Sequence, residues 1–358
     1  METGKISNRD IMLLLILYFV GGRVLIGSIE SIREDWVLQF AVPVLCLPLI
    51  FLYISVAQRG SIGQTLEAAW GAKAGKVILF LLCVSAFVIA VSTLNAYADY
   101  VASSAMISVN RWVGSSAMGI LCYFGCKSRD STMAKIGWIV FPLVILLLGI
   151  VLLVGMRQMR LENLLPLGES GAKTVLEASG HIALFQISQL FIFIAMFGHR
   201  AASKNWGRFV IFGLLLVSLL VAVDKIKNVA VLGWPLIDQF RFPTNAATSV
   251  LELGELFQRF EFLTSAALVL CQPVKALYGL KFVIEGFGRL FPKLKKAWAE
   301  ILAALLIIVA SLPEEGWAVE HQPLHIAGTA IMLVGIPVLT WVALKVKKIP
   351  PAGQEAGS

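Results

Sequence analysis

Ten apolar runs, separated by short polar turns, divide this chain from end to end and restrict its fold more than any other feature. A membrane-crossing helix needs about 20 such residues. The runs lie near Ile11–Ile29, Trp36–Ala57, Val77–Met106, Trp112–Cys126, Ala134–Gly155, His181–Gly198, Gly207–Gly233, Phe262–Gly286, Ala297–Leu312 and Leu324–Leu344, the fourth and ninth being the shortest. Hydrocarbon offers the backbone no hydrogen-bond partner, so each run is expected as a helix. The expected fold is an all-α integral membrane protein of ten transmembrane helices. It forms one transmembrane domain over residues 1–349, with a short polar cytoplasmic tail over 350–358. The composition agrees. Only 15% of the residues are charged and the mean hydropathy is +0.83, whereas soluble domains carry about 25% charged residues. No small-residue cleavage pattern follows Met1–Asp10, so the first span reads as retained.

The net charge of +8 does not point to a nucleic-acid partner, because the basic residues sit in short loops between apolar runs. With the N-terminus placed in the cytoplasm, nineteen of the 30 Lys and Arg residues fall on that side and nine on the other. The remaining two, Arg23 and Lys275, lie within spans. This bias predicts that both termini are cytoplasmic. The five cysteines all fall in apolar runs and read as small buried hydrophobes. Cys122 and Cys126 share a helix face, but no nearby His or carboxylate completes a metal site. No nucleotide loop, HExxH, GxSxG or other nucleophile–base pattern is present, so no enzyme, cofactor or metal is expected.

Three connections are more than simple turns. Ser61–Gly75 predicts a short re-entrant or surface helix on the inner side. Arg157–Gly180 reads as a long outer loop. In Trp234–Glu261, Leu253, Leu256, Phe257 and Phe260 are spaced to share one helix face, which predicts an amphipathic helix at the outer interface or over the bundle.

Within the spans, Val20–Gly27 holds two adjacent glycines and Arg23. Each glycine weakens a helix by roughly 1 kcal/mol relative to alanine, and a cation in hydrocarbon is costly and commonly functional. One reading is a helix broken after Gly22, its free N–H groups offered to an anionic ligand. Ten spans with a first break suggest a five-plus-five inverted repeat in which spans one and six face each other. The other reading is close helix packing at Gly21 and Gly22. Span six has no internal Gly or Pro, so no second break is written there. Its Gln186 and Gln189 share a face and either line a cavity or bond neighbouring helices. Span three offers Asn95, Tyr97 and Asp99; Asp99 is either a proton or cation site or a solvated residue near the outer end. Span eight carries Gln272-Pro273-Val274-Lys275, a proline kink beside a cation roughly 13 residues into the span. Lys275 can meet a ligand carboxylate, pair with an acid such as Asp99, or snorkel.

The ordered features Leu17–Gly22, Leu161–Pro166, Val231–Pro235 and Arg259–Glu261 resemble the B subunit of bacterial spore germinant receptors, the GerAB type. These belong to the amino acid–polyamine–organocation transporter superfamily, and the resemblance covers nearly the whole chain. It implies a LeuT-like ten-helix fold in the spore inner membrane, acting with an A-type subunit and a lipoprotein C-type subunit. The implied role is sensing a small germinant, commonly an amino acid, and triggering germination. Gly21 and Gly22 match the family's unwound first-span segment, and Gln272–Ala276 match span-eight positions facing that pocket. The expected ligand-binding set is therefore Gly21, Gly22, Arg23, Asn95, Tyr97, Gln186, Gln189, Gln272, Val274 and Lys275. Three departures stand out: Arg23 replaces a common glycine, span six lacks a common proline, and Lys275 replaces an uncharged residue. The two added cations favour an anionic or carboxylate-bearing ligand, or cancel against an internal acid. The rival functions are a secondary amino acid or cation transporter, and a ligand-free membrane scaffold.

Overall fold

Helix α1 (Asn8–Leu25) is the hub of the protein: Ile11 and Leu13–Val20 are all at most 3% exposed. A helix apolar on every side is a buried one. The structure, a computed structural model, describes residues 5–25, 32–105, 110–203, 205–237, 239–251, 260–294, 297–312, 328–329 and 331–348.

Every one of the ten apolar runs is helical over its described part. α2 (Asp35–Leu45) and α3 (Leu47–Ala57) form the second run, bent by 47° at Cys46. Pro48 sits at the start of α3, where its missing N–H ends the ladder of α2. α4 (Ile62–Trp70) is the short helix expected between the second and third runs, opened by a Ser61–Gln64 capping box and closed at Gly71 in a positive-φ conformation. α5 (Ala72–Tyr100), α6 (Arg111–Lys127) and α7 (Asp130–Gly155) fill the third, fourth and fifth runs. The sixth is α8 (Ala172–Ile182), a π-helical segment over Ala183–Ile187, and α9 (Ser188–Phe197). α10 (Trp206–Leu232) is the seventh, followed by α11 (Trp234–Ile237) and α12 (Pro243–Ser249). α13 (Glu261–Leu290), α14 (Trp298–Ser311) and α15 (Ile336–Val346) complete the series. No named β-strand occurs among the described residues; one bridge joins Ile6 to Ala201.

Among the described residues, four helices are long and apolar enough to cross a membrane, namely α5 with its extension to Ser103, α7, α10 and α13, and the bent α2–α3 pair makes a fifth. The chain is thus an all-α membrane protein. Around α1 stand α10, α13 and α7, while α5 lies along α13 in the most extensive pairing of the molecule. Close approach there uses Gly279, where a Cβ would lie 3.2 Å from the Ala86 carbonyl and Ala90 Cβ. α6 and α7 turn Trp112, Leu121, Phe124, Trp138, Ile139 and Leu146 outward, and α7 is one of the helices able to cross a membrane.

Three local expectations need correction. First, α1 is not broken at Gly21–Gly22: it stays α-helical through Arg23 to Leu25. Close contact with α13 overrides the weak helix propensity of glycine. Second, the outer loop at 157–180 is partly helical, with a 3₁₀ turn at Leu161–Leu164 and α8 from Ala172 onward. Third, span six departs from regular geometry without any Gly or Pro. Its π segment, a feature common at functional sites, carries no sequence signal. The proposed amphipathic face at Leu253, Leu256 and Phe257 lies outside the described residues.

Candidate functional site

The contact between α1 and α13 brings five of the ten expected site residues together. A Cβ on Gly21 would lie 2.8 Å from the backbone carbon of Cys271 and from the amide nitrogen of Gln272. One on Gly22 would lie 3.1 Å from Lys275 Nζ. The glycines therefore let the α13 backbone and the Lys275 side chain lie directly against α1. Both readings of the Gly-Gly pair meet here, since it packs closely and also borders the polar cluster.

The cluster is buried and polar. Arg23, Gln272 and Lys275 are 6%, 1% and 6% exposed. Arg23 Nη2 donates to Gln39 Oε1 at 2.7 Å, and Gln39 Nε2 donates to Asp35 Oδ1 at 2.8 Å. Lys225 Nζ pairs with Asp35 Oδ2 at 3.3 Å. A polar relay thus runs from α1 across α2 to α10. Among the described residues, Arg23 Nε and Nη1 and both polar atoms of Gln272 have no hydrogen-bond partner. Buried polar groups are almost always bonded, and leaving one unbonded costs about 1–3 kcal/mol. Such a set can receive a polar ligand.

The other five residues divide. Val274 follows Gln272 and Pro273 on α13 and packs on the main core. Gln189 is buried on α9, and its carbonyl oxygen lies 3.5 Å from Tyr18 Oη, so span six borders α1 one turn from Gly21. Gln186 falls in the π segment, and its side chain lies outside the described residues. Asn95 is turned elsewhere: its Nδ2 donates to the Ala310 carbonyl of α14 at 3.0 Å. Tyr97 is buried on the same helix. Cys122 and Cys126 point their thiols at the Pro273 and Leu277 carbonyls of α13, at 3.7 and 3.5 Å.

Sequence reasoning missed two charge hubs. Asp99 is not a solvated residue: it is fully buried and paired with Arg111 and Arg241. Nearby, the Tyr100 hydroxyl donates to Asn245 Oδ1 at 3.0 Å and meets Ser265 Oγ at 2.5 Å. These contacts fasten the α11–α12 region to the ends of α5 and α13. At the other face, Arg200 bridges Asp130 and Glu285, and Lys281 also pairs with Asp130. A cavity of about 470 Å³ opens beside this hub, lined among others by Gly63, His199, Arg200, Glu285 and Arg289. Arg289 holds Glu67 through Nε at 3.2 Å and Nη2 at 2.7 Å, which draws the Glu67 carboxyl below its usual range. Partners so far apart in sequence leave no local pattern to read.

The helices define a multi-pass membrane protein with a buried polar cluster between α1 and α13. Residues 5–317 match the family model of the spore germination protein, and the chain belongs to that family. Spore germination is therefore its setting, with a permease-like membrane protein as its type. No curated protein matches the chain significantly.

Proposed function

We propose that the chain is the membrane subunit of a spore germinant receptor, one that binds a small germinant and triggers germination with A-type and lipoprotein C-type partners. The single observation that carries this reading is the buried α1–α13 cluster in a spore germination family member. Its Arg23 and Gln272 hold polar atoms that nothing in the described protein satisfies. The germinant is an amino acid or a molecule of similar size, seated among spans one, three, six and eight. All ten apolar runs cross the membrane in a LeuT-like five-plus-five arrangement, with both termini cytoplasmic, in the spore inner membrane. Ligand binding shifts the bundle between states that exist beforehand, and the partner subunits read the shift. The helices over all ten runs and the π segment beside α1 support this arrangement.

The test is calorimetry and thermal unfolding of the purified subunit, alone and with its partners, against a panel of amino acids, sugars and nucleosides. A saturable response lost in Gln272→Leu supports the reading. No response to any compound from a folded sample refutes it. The permease-like family also supports a second reading, a secondary transporter of amino acids or cations. Uptake into proteoliposomes separates the two, since a receptor needs no net flux.

A further inference from the structure

We propose that His199 and Arg200 form a proton-operated latch: protonation of His199 frees Arg200 and loosens the segment that leads into α1. The latch is independent of the ligand-binding reading and lies at the end of the bundle where α7 begins and α13 ends. Three sets of contacts meet at Arg200. Its buried guanidinium bridges Asp130 of α7 and Glu285 of α13. The Arg200 Nε donates to His199 Nε2 at 3.3 Å. The Arg200 carbonyl accepts from the Ile6 amide at 2.9 Å, and the Ala202 amide donates to the Ile6 carbonyl at 2.9 Å. The residues ahead of α1 are thereby bridged to residues 200–202, and Ile6 is 2% exposed.

His199 is exposed and lines the cavity beside this hub, so protons from solvent reach the ring. With Nε2 accepting from Arg200, the ring hydrogen sits on Nδ1, and the ring also bonds the Ala195 backbone. Partial desolvation, and after it the Arg200 charge, hold the imidazole below its usual pKa, while Glu285 and Asp130 oppose them. A proton added at Nε2 turns the acceptor into a donor, and two N–H groups then face each other. The bond to Arg200 Nε is lost. The new imidazolium N–H turns to Glu285, which lines the same cavity and is 41% exposed. Arg200 is left with Asp130, which Lys281 also holds. The other charged groups around the latch are Arg289 of α13 with its partner Glu67 of α4, Arg59 just beyond the Ala57 on which Gly198 packs, and Lys5 beside Ile6. Among these side-chain types, histidine is the one that ordinarily changes charge between pH 5 and 8. Movement of Arg200 acts on Ile6 and so on α1, the helix that carries Gly21 and Arg23.

The experiment uses the full chain in nanodiscs with nitroxide labels at Lys5→Cys and Lys293→Cys, two exposed positions, and with the half-buried Cys46 replaced by Ser. Pulsed electron paramagnetic resonance measures the distance between the labels from pH 8 to pH 5. The expected result is two populations whose ratio changes by up to about tenfold per pH unit, as one proton requires. The midpoint should lie below the ordinary histidine value of about 6.5. His199→Gln keeps an acceptor for Arg200 but cannot take the proton, so it should hold the high-pH population throughout. A parent distribution that stays constant from pH 8 to pH 5 overturns the proposal. A transition that persists in His199→Gln overturns it as well, because another group must then carry the proton. Thermal unfolding gives a second readout. A base held below its unfolded pKa lends stability above about pH 6.5 and loses it as pH falls through the folded value. The melting temperature of the parent should therefore drop between pH 7.5 and pH 5.5 relative to His199→Gln, and parallel curves overturn the latch.

Discussion

Replacing Gly21 by alanine probes the contact on which the site depends. The added methyl would stand 2.8 Å from the Cys271 backbone carbon and the Gln272 nitrogen. Carbon atoms in ordinary contact lie about 3.5–4.0 Å apart, so α1 and α13 must separate by about 0.7 Å or more. Two of the three nearest atoms are backbone, and no rotamer change can move them aside. Overpacking of this kind costs about 1–3 kcal/mol, and the obstruction by main chain places it at the upper end. The better helix propensity of alanine returns about 1 kcal/mol, leaving a net loss of about 2 kcal/mol. Gly149, on α7, is the control, because a Cβ there meets nothing within 4 Å. Gly149→Ala keeps only the propensity gain of about 1 kcal/mol. Thermal unfolding of the purified variants should therefore move in opposite directions, down for Gly21→Ala and up for Gly149→Ala. Equal or greater stability of Gly21→Ala relative to Gly149→Ala would refute the close-contact account of the pair. It would return the first-span glycines to a role in chain flexibility.

Asp99→Asn leaves Arg111 and Arg241 facing a neutral amide and should destabilise the protein by about 3–5 kcal/mol; a melting temperature close to that of the parent would show that this triad is not a structural clamp. Arg200→Met removes this partner from Glu285 and leaves Asp130 with Lys281, and should lower stability by about 1–3 kcal/mol. In the double variant Arg200→Met/Asp130→Asn the two losses should fall short of their sum, and strict additivity would argue against a shared network. The Glu67 carboxyl titrates below its unfolded value of about 4.5. Its contribution is thus present above about pH 4.5 and is lost as pH falls through the folded value. Glu67→Gln should flatten that part of the acid stability curve by up to about 1 kcal/mol, since the pair is partly exposed, and an unchanged curve would remove Glu67 from the account.

Membrane class and helix content were legible because hydrocarbon leaves a chain few options. A run such as Ala134–Gly155 has to satisfy its backbone internally, and it appears as α7 over Asp130–Gly155. The short helix between the second and third runs was also legible, since Ser61, Gln64 and Gly71 form local start and stop signals. The candidate site was half legible. Arg23 and Lys275 stand out as cations in apolar runs, and Gln272 as an amide beside a kink. Their meeting, by contrast, is a contact between residues about 250 positions apart.

Local reasoning failed where the deciding partner was distant. A Gly-Gly pair weakens an isolated helix, but α13 lies against it and holds α1 helical through Arg23. Asp99 near a span end looks like a residue in water until Arg111 and Arg241 enclose it. Gln39, Asp35 and Lys225 carry no motif, and only the packing of α2 on α10 makes them a relay from Arg23. The sequence alone determined how the backbone is satisfied, because that requirement acts within each span. Only the tertiary structure decided how the buried charges are matched, because charge pairing acts between spans that the chain order does not place together.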